Sequence, residues 1–135
     1  ARVLAHAFPE RHWVELSAVM AGIADLRKVF ADAAARGVSG QQTMLFIDEI
    51  HRFNRAQQDA LLPVVEDGTI TLLGATTENP SFSLNGALLS RCTVLVLQRH
   101  DASALENLLQ RAEAHLQRKL PLDDNARATL LGLAD

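Results

Sequence analysis

The sequence predicts an α/β fold built on a parallel sheet, and three observations carry that expectation. Three short apolar runs, Thr43–Ile47, Ile70–Ala75 and Thr93–Leu97, each suit a strand buried on both faces. Stretches of helical periodicity separate them, so the order reads strand, helix, strand, helix, strand. Hydrophobic residues make up 48% of the 135, enough for one real core and too little chain for a second large domain.

Taken in order, Ala1 to Phe8 reads as the tail of a helix stopped by Pro9, and His12 to Leu16 alternates as a short strand does. Ser17 to Gly22 reads as a loop. Ile23, Leu26, Val29, Phe30, Ala33 and Ala34 then recur at helical spacing, predicting an amphipathic helix from Ile23 to Arg36 with Gly37 as its C-cap. After the Thr43–Ile47 strand, Asn54 has the chemistry to cap a helix from Arg55 to Glu66, which Pro63 should bend or shorten. Asp67 and Gly68 turn the chain into the Ile70–Ala75 strand. A polar loop, a short helix around Leu84 to Leu89 and the Thr93–Leu97 strand follow. Ser103 with Glu106 forms a capping box for a helix marked by Leu105, Leu108, Leu109, Ala112 and Leu116, and Asp123 or Asp124 opens another. With no strand between them, these last two helices read as the start of a helical subdomain.

Bulk properties narrow the function classes. Net charge is −3, so no global basic field marks the chain as a nucleic-acid binder, although a local patch is compatible with it. Cys92 is the only cysteine, which excludes an internal disulfide and a multi-cysteine zinc site and suits a reducing cytosol; Cys92 itself reads as buried and inert. The five histidines lack metal-ligand spacing. No signal peptide and no run of membrane-spanning length is present, so a cytoplasmic location is expected.

Open parallel sheets place ligands beyond the carboxyl ends of their strands. Three sets of residues fall there: Asp48 with Glu49, Thr76 with Thr77, and Arg91 before the last run. An apolar strand followed by Asp-Glu suits a nucleoside triphosphatase, with the first acid toward Mg²⁺ and the second polarising the attacking water. A hydroxyl on the neighbouring strand can orient that water. An arginine can neutralise transition-state charge, worth about 10³ to 10⁵ in rate in other nucleotide hydrolases. Each residue also has a plain structural reading: the acids as a solvated strand end or helix cap, the threonines as turn formers, and Arg91 as a surface ion-pair partner. His51 and Arg52 likewise read either as a link to DNA or a neighbouring subunit, or as the start of a surface helix. Phe53 and Trp13 read as core residues rather than base-stacking platforms.

The segment FIDEIHRFN resembles the Walker B motif of AAA+ ATPases. QQDALLPVVEDGTITLLGATTENPSF and then LNGALLSRC closely resemble the replication-associated recombination protein A family, bacterial relatives of the Werner-helicase-interacting ATPase. The resemblance implies an AAA+ (P-loop NTPase) core over residues 1–99 and the start of an α-helical lid over 100–135. It implies ATP and Mg²⁺ as ligands, with Asp48 on the Mg²⁺ side, through water, and Glu49 as catalytic base. Thr76 matches sensor 1, and Arg91 in the Ser-Arg-Cys triplet matches the arginine finger offered to a neighbour's ATP. It further implies a DNA-dependent ATPase at stalled replication forks, active in replication, recombination and repair and associated with the nucleoid. The implied partners are DNA forks or single-strand/double-strand junctions, further copies in a tetramer, and a single-stranded-DNA-binding protein. Clamp-loader subunits and Holliday-junction branch-migration motors share the same elements, and a non-catalytic AAA+-like adaptor is the alternative of another class.

One departure is large. The phosphate-binding pattern G-x-x-x-x-G-K-[ST] is absent: the only lysines are Lys28 and Lys119, and neither follows a glycine. ARVLAHAF looks like the family's helix just after that loop, so the chain is expected to be a fragment lacking the first strand, the P-loop and the sensor 2 arginine. Such a fragment is expected to be inactive alone and, with one side of its sheet uncovered, marginally stable.

Overall fold

The computed structural model describes residues 2–133; Ala1, at the start of the expected first helix, and Ala134 and Asp135, at the end of the last, lie outside them. The chain divides into two compact units, with the boundary in the sequence between Val94 and Leu95. The first contains three strands: β1 (His12–Ser17), β2 (Thr43–Asp48) and β3 (Ile70–Gly74). They form one parallel sheet in the order β1-β2-β3, with His12 beside Thr43 and Thr43 beside Ile70. β2 is therefore paired along both edges. That position explains its composition, because Thr43, Met44, Leu45 and Ile47 are all buried.

Helix α1 (Arg2–Ala7) precedes β1, α2 (Ile23–Val38) links β1 to β2, and α3 (Arg55–Glu66) links β2 to β3. Period-two alternation sends Leu45 and Ile47 of β2 to one face, where they join Leu26 and Ala33 of α2 and Leu61 of α3 in the apolar core. Trp13 stacks on Phe46 on the opposite face, with ring centroids 6.0 Å apart, while Phe53 lies buried in the core. Asn54 caps α3 as expected: its side chain accepts the Gln57 N–H at 3.0 Å, and Gln57 Oε1 returns the bond to the Asn54 N–H.

Several local expectations are corrected. Helix α2 runs past Gly37 to Val38; the chain turns instead at Gly40, whose φ of +80° is cheap only for glycine. Helix α3 continues through Pro63 to Glu66, and the proline is exposed, so water can satisfy the carbonyl it leaves unpaired. The helix expected around Leu84–Leu89 is α5 (Gly86–Leu89), and the polar loop before it contains a further short helix, α4 (Pro80–Ser83), because Asn79 and Asn85 each cap a start. Cys92 is half-buried, and that burial pushes its thiol pKa up. The run Thr93–Leu97 forms no strand, since it pairs with no strand among the described residues, and Leu97 is 92% exposed.

The second unit contains α6 (Ala102–Leu116) and α7 (Asp124–Leu133). Asp101, not Ser103, caps α6: its carboxylate accepts the Ala104 N–H at 2.7 Å and the Ser103 hydroxyl at 2.9 Å. A carboxylate is the stronger acceptor at a helix start, and it moves the boundary by two residues. Glu106 is consequently not part of a capping box. It grips Arg127 of α7 with both carboxylate oxygens, and Glu113 takes the guanidinium from the other side at 3.0 Å. Asp123 caps α7 by accepting the Ala126 N–H at 2.7 Å.

Candidate functional site

The carboxyl end of β2 is held in place by backbone bonds on both sides. The Ala18 N–H donates to the Asp48 carbonyl at 2.9 Å from the β1 side, and the Ala75 N–H donates to the Ile47 carbonyl at 2.9 Å from the β3 side. Asp48 ends the strand exposed, its Oδ1 accepting the Glu49 N–H at 3.1 Å. Glu49 then adopts φ 54°, ψ 41°, a left-handed conformation that costs an ordinary residue about 1–2 kcal/mol. This bend swings the chain back over β3, where the Ile50 N–H donates to the Ala75 carbonyl at 3.0 Å. The buried Ile50 side chain covers Gly74, and a Cβ at Gly74 would meet it at 3.0 Å. Only a residue without a side chain lets the two elements approach so closely.

One turn of 3₁₀ helix, Ile50–Arg52, follows and carries the His51 imidazole inward until its side chain is 4% exposed. There Nδ1 lies 2.8 Å from Thr76 Oγ1, and Nε2 lies 3.3 Å from Glu49 Oε2 and 3.6 Å from Glu78 Oε1. Glu49 and Thr76, which sequence reasoning placed at the ends of neighbouring strands, are thus linked through one imidazole. Asp48 sits one residue before Glu49. Thr76 Oγ1 also accepts the Glu78 N–H at 3.0 Å, which folds the loop after β3 into a local turn.

Arg91 stands apart from this cluster. Its guanidinium pairs with Glu66 at the end of α3, and Nη1 donates to the Ala87 carbonyl at 2.7 Å and the Ser90 hydroxyl at 3.1 Å. Gln58 supports that region from inside α3. Buried, it donates to the Phe53 and Ser83 carbonyls and accepts the Asn85 N–H at 2.7 Å, fixing the start of α5.

The family model for the ATPase family associated with various cellular activities (AAA) matches residues 2–100. The chain belongs to this AAA family. Within it, the chain is 54% identical over 105 residues to replication-associated recombination protein A of Coxiella burnetii, covering 78% of this chain and 23% of that protein. It is 48% identical over 124 residues to ATPase WRNIP1 of Dictyostelium discoideum, covering 89% of this chain and 14% of that protein. The Escherichia coli replication-associated recombination protein A is 50% identical over 97 residues, covering 72% of this chain and 22% of that protein. The chain therefore spans between 14% and 23% of the length of these three relatives. A solved RuvB mutant from Thermotoga maritima superposes with a TM-score of 0.68 at 26% identity, over 96% of this chain and 42% of that one.

An AAA chain implies nucleotide and Mg²⁺, and the residues fit them in part. Mg²⁺ takes one or two carboxylates with water and phosphate oxygens rather than a full protein cage. The exposed oxygens of Asp48, beside those of Glu49, are donors of that kind, and among the described residues no group of three His, Cys, Asp or Glu side chains could hold a metal. The backbone cradle and lysine that would grip the phosphates are not among the 135 residues.

Sequence reasoning left His51 between two roles and missed Glu78 and Glu66. No periodicity reports that residue 51 meets residue 76, a separation of 25 positions. The one available signal was chemical: an ionisable ring inside a segment flanked by the apolar Ile50 and Phe53.

Proposed function

We propose that this chain is part of a DNA-dependent AAA+ ATPase that hydrolyses ATP to act at stalled replication forks, in replication, recombination and repair. The observation that carries the reading is the joining of Glu49 to Thr76 through His51 at the carboxyl end of the sheet, directly beside Asp48. Asp48 holds Mg²⁺ through water, and bound Mg²⁺ supplies charge neutralisation at the phosphate oxygens. Glu49 accepts a proton from the attacking water. Thr76 orients that water by its hydroxyl. Arg91 serves the neighbouring subunit, a role supported by its guanidinium being engaged by Glu66 and the Ala87 carbonyl rather than by Asp48 or Glu49. Residues 1–99 then belong to the ATPase core and 100–135 open the lid, in a nucleoid-associated cytoplasmic tetramer that engages DNA and a single-stranded-DNA-binding protein. Identities of 50% and 54% to relatives named replication-associated recombination protein A, against 26% to RuvB, favour this reading over a branch-migration motor.

In the full-length protein, Glu49→Gln leaves ATP binding intact and lowers hydrolysis by about 10²- to 10⁴-fold, the range for removal of a general base. Unchanged turnover rejects the assignment. Arg91→Ala alone also abolishes turnover, and mixing that variant with Glu49→Gln subunits restores a fraction of it. In the mixture some sites combine an intact Glu49 from one subunit with an intact Arg91 from the next. A mixture as inactive as its parts argues against action between subunits.

A further inference from the structure

We infer that His51 is a positioning residue that holds the Glu49 carboxylate and the Thr76 hydroxyl as one unit, an inference that rests on the ATPase reading above. The hydrogen-bond pattern assigns each proton. Thr76 Oγ1 accepts the Glu78 N–H at 3.0 Å and lies 2.8 Å from His51 Nδ1, with its own proton and a second lone pair still available to the ring, so the ring's other nitrogen decides the direction. Nε2 has only carboxylate oxygens near it, Glu49 Oε2 at 3.3 Å and Glu78 Oε1 at 3.6 Å, which accept and do not donate, so in the neutral ring the proton belongs on Nε2 and Nδ1 accepts the Thr76 hydroxyl. The neutral ring meets both strand-end groups with the atom each requires.

A histidine that only filled core space would have no need of these two partners, which follow different strands. With its side chain 4% exposed, the ring has little room to reorient. The backbone works to the same end. The left-handed turn at Glu49 and the Ile50–Ala75 bond set the height at which residue 51 meets residue 76. A ligand that draws the Thr76 proton away removes the donor at Nδ1 and so alters how firmly the ring holds Glu49. His51 thereby couples occupancy at Thr76 to the placement of the base.

Kinetics of ATP hydrolysis by the full-length protein test this. His51→Ala is expected to lower kcat about 10- to 100-fold, the scale of a misplaced reacting group, while KM for ATP moves less than about threefold. His51→Gln, which returns an N–H donor near the Nε2 position, recovers part of the loss. Because the ring acts through Glu49, adding His51→Ala to Glu49→Gln costs nothing further. A kcat for His51→Ala within twofold of wild type, or losses that multiply in the double variant, overturns the inference. If His51→Ala does not fold, His51→Leu against His51→Gln makes the same comparison at conserved volume: a faster glutamine variant supports the coupling and equal rates refute it. The two readings fail separately, since unchanged turnover in Glu49→Gln removes the ATPase assignment, whereas loss there with normal kcat in His51→Ala removes only this one.

Discussion

Met44 to Ile47 and Val94 to Leu97 are each four consecutive apolar residues, and they meet opposite fates. The first is the middle of β2, with Leu45 and Ile47 both 0% exposed. The second lies outside any helix or strand, with Leu95 and Val96 well exposed. Intrinsic preference does not separate them, because each run has two strand-favouring residues, Phe46 and Ile47 in the first and Val94 and Val96 in the second. The difference is the number of paired edges: β2 is bonded along two, and the second run along none among the described residues. Strand formation is a property of a pair, and composition only makes a segment willing.

The largest test of that contrast is truncation inside β2. Ile47→Ala removes a fully buried side chain beside the acids and is expected to cost about 2–5 kcal/mol in urea unfolding of this chain. A loss below about 1 kcal/mol would mean that the core does not depend on β2 as its burial indicates. An intermediate effect is expected from acid on the second unit, where neither α6 nor α7 contains a buried residue and Arg127 ties the helices together. Hydrogen bonds from Arg127 hold the Glu106 and Glu113 carboxyls below the usual carboxylate value of 4.5. Their stabilisation is therefore fully present above about pH 4.5 and is lost as pH falls through the depressed folded values. Amide exchange, corrected for its intrinsic pH dependence, should lose protection in α6 and α7 over that interval before it does so in β2. Simultaneous loss would remove the distinction between an apolar core and an ion-paired helix pair. The smallest effect belongs to the second run, where Leu97→Ala should change the same unfolding free energy by no more than about 0.5 kcal/mol. A larger loss would show that Leu97 is covered after all.

Much of the first unit was legible because its signals are local. The apolar runs of β2 and β3, the helical spacing of α2 and the Asn54 cap each lie within a few residues of what they specify. Asp48 and Glu49 stood out for the same reason, as an abrupt change of character at a strand end. What escaped was set by partners distant in sequence. Whether Thr93–Leu97 becomes a strand depends on an available edge, and His51 acquires its place only when β3 delivers Thr76 beside it. The Ser103 cap failed through local competition, because Asp101 two residues earlier offers a charged acceptor to the same helix start. Glu106, read as the other half of that cap, was taken instead by Arg127 from a different helix.

Glu49 is one of two non-glycine residues with positive φ among the described residues, and it stands where the acids meet the sheet. Glycine would occupy that left-handed turn at no steric cost, and asparagine at little. A chain shaped for stability alone would drift toward one of them at position 49. Retaining a carboxylate there gives up some robustness for something the backbone does not require, which is the signature of a trade-off between persistence and work.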